Sequence, residues 1–228
     1  MSAFETFDFQ DIDTILLDMD GTLLDLHFDN HFWLDHLPRR FGEIAGLPEA
    51  QARKRLHDDY QALRGKLDWY CLDYWCRELA VDIVSLKQEV AHLIDVHPWV
   101  PAFLERAGTM GKRRVIVTNA HRDSINLKVA RTALDEHVDR IISSHDYRCP
   151  KEDACFWSSL ARDESFDPDR TVLVDDNLSV LDAAARFGIR HLLAIARPDS
   201  RLEPMVTDPY PALPSFEILY RALGDAHS

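Results

Sequence analysis

Asp18 and Asp20 stand one residue apart, directly after the apolar run 15–17 and directly before Gly21. A short apolar run bounded by such residues reads as a buried strand, and glycine lets the backbone turn tightly and approach a ligand closely. Acids at the carboxyl end of a parallel strand lie where open α/β sheets bind their ligands. One such acid alone is commonly a turn or helix cap, but here the arrangement recurs. The run 114–117 ends in Thr118 and Asn119, and the run 171–174 ends in Asp175, Asp176 and Asn177. Strands of one parallel sheet would bring these ends together, so that four carboxylates, a hydroxyl and an amide share one crevice. Left unneutralised, the carboxylates raise each other's pKa values. A hard divalent cation with oxygen ligands, Mg²⁺ first among them, would keep them ionised.

These residues carry a resemblance. Asp18-Met19-Asp20-Gly21-Thr22 resembles the first motif of the haloacid dehalogenase-like (HAD) hydrolases. Thr118 resembles the second motif, Lys151 in Cys149-Pro150-Lys151-Glu152-Asp153 the third, and Asp175-Asp176 the fourth. They occur in the family's order and span most of the chain. The stretches 24–33 and 67–75 resemble bacterial purine 5'-nucleotidases that act on GMP and IMP.

The resemblance implies a role for each residue. Asp18 would be the nucleophile, forming an aspartyl phosphate with one oxygen and binding Mg²⁺ with the other. Splitting one hard displacement into two in this way suits a slow phosphate ester. Asp20 would protonate the leaving alcohol and then activate water, while its main-chain carbonyl binds the metal; crowding by other carboxylates suits that proton-transfer role. Thr118, with Asn119 beside it, would hold a phosphate oxygen, although Thr118 also reads as a helix N-cap. Lys151 would offset the charge on Asp18 and the phosphoryl group. Asp176 falls on the family's metal-ligand acid, with Asp175 an accessory ligand or a group behind it.

The implied activity is a Mg²⁺-dependent phosphomonoester hydrolase, specifically a purine 5'-nucleotidase. Phosphosugar and phosphoglycolate phosphatases and phosphosugar mutases share the four motifs. A signalling receiver module also combines Asp, Thr, Lys and an acidic pair, but there the acidic pair comes first in the chain and no helical block follows strand one. Here it comes last.

The chain has 228 residues and a formal net charge of −13. That length buries a proper core. The acidic balance argues against nucleic acid or an anionic membrane as partner, but not against a small phosphorylated metabolite, since a metal and a lysine can invert the local field. None of the four cysteines (Cys71, Cys76, Cys149, Cys155) forms a CxxC pair. Zinc is therefore not expected, and the reading is of reduced, partly buried thiols. No secretory signal or membrane-spanning run is visible, so the cytoplasm is the default compartment.

The elements that must position these groups follow from periodicity and punctuation. Residues 1–12 read as a lead with Phe4, Phe7 and Phe9 alternating. Residues 28–95 lack β-branched runs and show helical patterns at 32–44, 49–63, 68–79 and 86–94. Such a block after the first strand corresponds to the family's α-helical cap, leaving 1–27 and 96–228 as the α/β core. Strands are expected at 13–18, 114–118, 138–143, 171–175 and 191–195, with helices at 101–110, 122–134, 153–163, 178–187 and 215–223. This alternation means a doubly wound parallel sheet. In the cap, Asp29, Asn30 and His31 lie near its entry and are candidates to meet base or ribose. Trp69, Tyr70, Tyr74 and Trp75 could stack on a purine, though aromatics at this spacing are mostly core. His121 and Arg122 are weaker substrate candidates. Arg39-Arg40 and Arg53-Lys54-Arg55 read as solvated faces, and Asp182 as structural.

Overall fold

The computed structural model describes residues 9–224. Phe4 and Phe7 of the N-terminal lead lie outside them, whereas Phe9 is buried. After a 3₁₀ turn at Phe9–Asp11 comes the first strand, β1 (Thr14–Leu17), every residue of which is buried. The chain then leaves the sheet for a helical block. This comprises α1 (His27–His31), a π-helical turn (Phe32–His36), α2 (Leu37–Ala45), α3 (Glu49–Leu63), α4 (Leu67–Tyr70), α5 (Leu72–Leu79) and α6 (Ile83–Glu89). The expected helix at 32–44 is thus continuous with α1 through the π turn. The pattern at 68–79 divides where Cys71 adopts an extended backbone.

The chain returns through α7 (Val100–Thr109) to β2 (Arg113–Thr118), α8 (Arg122–Thr132) and β3 (Arg140–Ser143). A short helix, α9 (Ser144–Tyr147), stands where only a loop was expected; Ser143 and Asp146 close it with a reciprocal capping box. There follow α10 (Ala154–Asp163), β4 (Thr171–Asp175), α11 (Leu178–Phe187), β5 (His191–Ile195), β6 (Ala212–Leu213) and α12 (Phe216–Ala222).

The six strands are all parallel in the order β3-β2-β1-β4-β5-β6. From β1 the chain first builds outward through β2 and β3, then crosses back to place β4 on the other side of β1. That reversal opens a crevice at the carboxyl ends of β1 and β4. Register puts Leu17 opposite Val174, so Asp18 and Asp175 emerge side by side; the Asp18 amide donates to the Val174 carbonyl at 2.9 Å.

Alternation along the strands fills both faces. Ile15 and Leu17 join one core with Phe28, Phe32, Trp75 and Phe103, and Leu16 joins the other with Val115, Phe156 and Leu181. The core of the helical block is therefore continuous with one face of the sheet, which fixes the block relative to the strand ends. Among the described residues no helix is long and apolar enough to cross a membrane.

The cysteine expectation needs correction. Cys71 and Cys76 are free thiols, but Cys149 and Cys155 form a disulfide, with Cα atoms 6.2 Å apart. The cause is local: the chain turns between α9 and α10 and returns the start of α10 to the loop. A C-x5-C spacing carries no sign of that turn.

Candidate active site

Strand ends and the loops after them build the site. After β1 the backbone folds back on itself: the Gly21 amide donates to the Leu24 carbonyl at 2.8 Å, and the Leu24 amide to the Met19 carbonyl at 2.8 Å. Gly21 adopts φ +84°, and a Cβ there would lie 2.7 Å from Asp176 Oδ2. This turn holds Asp20 beside the crevice while Asp18 remains at the strand end, 6 % exposed.

Lys151 reaches the same point from the loop before α10. Its ammonium donates to Asp18 Oδ1 at 2.5 Å, to Asp175 Oδ2 at 2.7 Å and to the Val117 carbonyl at 3.1 Å. Burial alone would lower its pKa, but Asp175 and Asp18 together push it above the ordinary lysine range. It is a fixed cation. Its own backbone is held by Asn119, whose Oδ1 accepts from the Lys151 amide at 2.9 Å.

Asp18, Asp175 and Asp176 each offer a carboxylate oxygen within 4.8 Å of the others. Burial first, then the neighbouring carboxylates, drives all three above the usual carboxylate range; Asp18 is pushed up to about 7 against the pull of Lys151. Three crowded carboxylates facing one ammonium are short of positive charge, and their donors are all hard oxygens. That set fits a divalent cation such as Mg²⁺. Both Asp175 oxygens already have partners, Lys151 on Oδ2 and the Asn177 amide on Oδ1 at 2.9 Å. Asp176 is the freer of the pair.

Thr118 is buried and lines the crevice. The expectation that it caps the following helix does not hold. Its hydroxyl accepts from the Ala120 amide at 3.0 Å, and His121 is the N-cap of α8. The reason is spacing: Asn119 and Ala120 stand between Thr118 and the N-cap position, so the hydroxyl bends the loop instead.

Asp20 has a partner that sequence reasoning missed. Lys128 of α8, 1 % exposed, places its ammonium 2.6 Å from Asp20 Oδ1 and 2.7 Å from Asp29 Oδ2. Lys87 of α6, 2 % exposed, reaches Asp29 Oδ1 at 2.8 Å. Burial would raise Asp29, but the two lysines hold it down at about 2. Asp20 goes the other way, to about 6, because burial and the charges of Asp29 and Asp18 outweigh Lys128. Asn30 is also engaged, donating to Asp199 Oδ2 at 2.8 Å. Both candidates line the cavity, but with polar atoms already committed inside the protein.

Glu152 was also passed over. It accepts from Tyr70 hydroxyl at 2.8 Å, from Asn119 Nδ2 at 2.9 Å and from Asn177 Nδ2 at 3.3 Å. One carboxylate thus ties the helical block to the loops after β2 and β4. The one available signal was its position next to Lys151.

Above the acids lies a cavity of about 260 Å³ whose far wall includes Trp33, Trp69, Tyr70 and Leu72. Trp33 and Trp69 stack with their planes 29° apart and centroids 6.0 Å apart, with Tyr60 packed edge-on against both. Trp75 is core, as expected, and donates to the Trp69 carbonyl at 2.9 Å. His121 borders the cavity, whereas Arg122 pairs with Asp146. Arg39, Arg40, Arg53 and Lys54 pair with acids at the surface, and Asp182 accepts from Tyr210.

The comparisons with known proteins agree with this geometry. Residues 12–188 match the haloacid dehalogenase-like hydrolase family. The GMP/IMP nucleotidase YrfG of Escherichia coli K12 is 38 % identical over 214 residues, which is 94 % of this chain and 96 % of that protein. Among solved structures, a HAD phosphatase from Thermococcus onnurineus superposes with a TM-score of 0.78 at 22 % identity, over 93 % of this chain and 98 % of that one. YfnB of Bacillus subtilis, a HAD-hydrolase described as bound to magnesium, gives a TM-score of 0.64 at 17 % identity, over 93 % and 98 %. With acids at the ends of β1 and β4, a lysine between them and a match across most of the sheet, the chain belongs to the haloacid dehalogenase-like hydrolases.

Proposed function

We propose that the protein is a Mg²⁺-dependent phosphomonoesterase for purine nucleoside monophosphates, GMP and IMP in particular. The observation that carries this is the junction of two surfaces in one cavity. Asp18, Asp176 and Lys151 line one part of it with charge, and Trp33, Trp69 and Tyr70 line another with aromatic side chains. A phosphate suits the first and a purine the second. The substrates of the YrfG relative point the same way. A sugar phosphate would leave the aromatic wall without a partner.

In this reading Asp18 attacks phosphorus as the ester P–O bond breaks, and the leaving oxygen takes the proton of Asp20. In the second step Asp20, now a carboxylate, removes a proton from water; the water attacks phosphorus and the Asp18–phosphorus bond breaks. Lys151 offsets charge on Asp18 and the phosphoryl group, and Thr118 binds a phosphate oxygen. Mg²⁺, held by Asp18, Asp176 and the Asp20 main-chain carbonyl, would supply charge neutralisation of the phosphoryl group. Asp175 accepts from Lys151 and orients it. The helical block, residues 28–95, acts as a cap that selects the substrate.

The test is phosphate release with Mg²⁺ across GMP, IMP, AMP, CMP, UMP, phosphoglycolate and sugar phosphates. Preference for GMP and IMP, lost with EDTA and restored by Mg²⁺, is the expected result. Preference for the small phosphates would keep the chemistry and discard the nucleotide. Turnover in metal-free buffer would remove the metal assignment.

A further inference from the structure

We propose that Lys128 is a positioning residue for Asp20, and that Asp29, clasped from the helical block by Lys87, holds Lys128 in place. The inference rests on the role given to Asp20 above. Four charged groups form one line, the two lysines buried and the two carboxylates half-buried: Lys87 Nζ lies 2.8 Å from Asp29 Oδ1, Lys128 Nζ 2.7 Å from Asp29 Oδ2, and Lys128 Nζ 2.6 Å from Asp20 Oδ1.

Such an arrangement is not explained by stability. Taking ammonium groups out of water is costly, and well-packed apolar residues commonly stabilise as much or more. Asp20, Asp29 and Lys87 all line the cavity; of these Asp20 is the group given a proton to transfer, so two lysines balanced by two carboxylates point to a requirement there.

An Asp carboxyl turns freely about its last torsion unless an oxygen is held. Lys128 is the cation that faces Asp20 Oδ1; the contact is an ion pair at 2.6 Å, without hydrogen-bond geometry. Pinning Oδ1 leaves Oδ2 to meet the leaving oxygen in the first step and water in the second. Lys128 itself sits on α8 in the sheet domain and would be free to swing without Asp29. Both Asp29 oxygens are engaged, one to each lysine, so its role is to place Lys128 rather than to read the base. The Phe28 ring braces the line, with Lys87 Nζ 4.8 Å and Lys128 Nζ 5.5 Å from its centroid. Because Lys87 belongs to α6, the helical block and the proton-transfer group share one chain of contacts.

The experiment compares GMP, whose alkoxide leaving group needs a proton, with p-nitrophenyl phosphate, whose phenolate does not. Single-turnover and burst kinetics are measured for Asp20→Asn, Lys128→Met, Lys128→Arg and Asp29→Asn. The first step on GMP should fall roughly 10²-fold in Asp20→Asn and Lys128→Met, with KM little changed, while the nitrophenolate burst survives. Asp29→Asn should show the same selectivity to a smaller degree, and Lys128→Arg should recover part of the loss. Equal losses on both substrates, or undiminished GMP turnover in Lys128→Met, would overturn the proposal. If Lys128→Met does not fold, Asp29→Asn decides by the same criterion. Undiminished GMP turnover in Asp20→Asn would instead remove the role of Asp20 itself, which separates the two failures.

Discussion

Gly21 stands where any side chain would strike Asp176. A Cβ at residue 21 would lie 2.7 Å from Asp176 Oδ2 and 2.8 Å from its Cγ, on a backbone with φ +84°. The turn that carries Asp20 and the acid proposed for the metal are thus packed backbone to carboxylate. Gly21→Ala should displace Asp176 rather than unfold the sheet, since the positive φ costs only about 1 kcal/mol. The expected result is a roughly 10- to 100-fold rise in the Mg²⁺ needed for half-maximal activity, read by titrating activity with Mg²⁺. An unchanged Mg²⁺ requirement would place the metal elsewhere.

Lys151 separates charge neutralisation from structure. Its ammonium is buried between Asp18 and Asp175. Lys151→Met keeps the volume and removes the charge. The loss of kcat should be roughly 10²- to 10³-fold, the range for deleting one preorganised group that meets transition-state charge. Circular dichroism should show the fold retained. A variant that turns over normally would leave Lys151 with a structural part only.

How far the sequence could be read depends on whether a residue's role lies in its local pattern. Helices Glu49–Leu63 and Leu178–Phe187 fall where periodicity places them, because apolar spacing and Gly188 are local signals. So are the acids that end β1 and β4. Strand β6 was not legible: Ala212–Leu213 sits among prolines. It works because the tail serves as acceptor, with Ala194 and Ala196 donating to the Pro211 and Leu213 carbonyls, and a proline can hold an edge position without a donor. Lys87 and Lys128 were missed for a different reason. A lysine on a helix is ordinarily solvated, and nothing nearby in sequence says that its partner, Asp29, lies 58 and 99 residues away.

Tyr70 tests the tie between the helical block and the sheet. Its hydroxyl donates to Glu152 Oε1 at 2.8 Å, and Glu152 also accepts from Asn119, which holds the Lys151 backbone. Tyr70→Phe removes that single bond and keeps the ring. A hydrogen bond to a carboxylate contributes about 1.5–3 kcal/mol, so KM for GMP should rise roughly tenfold. The rate of the chemical step, from single-turnover kinetics at saturation, should change much less. A fall in that rate with KM unmoved would show that Glu152 acts on Lys151 rather than on docking of the block.

Asp29 supplies a stability signature that a surface aspartate would not. Its carboxyl is held at about 2 in the folded protein, against about 3.9 in an unfolded chain. Between those values the unfolded chain binds more protons than the native one, so the Asp29 contribution is complete above about pH 4 and is lost as pH falls toward 2. Asp29→Asn lacks this dependence. Urea denaturation of both proteins from pH 7 downward should therefore show the variant less stable at neutral pH, with the gap narrowing by an amount on the order of 2 kcal/mol below pH 4. A gap that stays constant with pH would mean that the carboxylate gains nothing from Lys87 and Lys128, and that the line of charges reaching Asp20 does not hold together in solution.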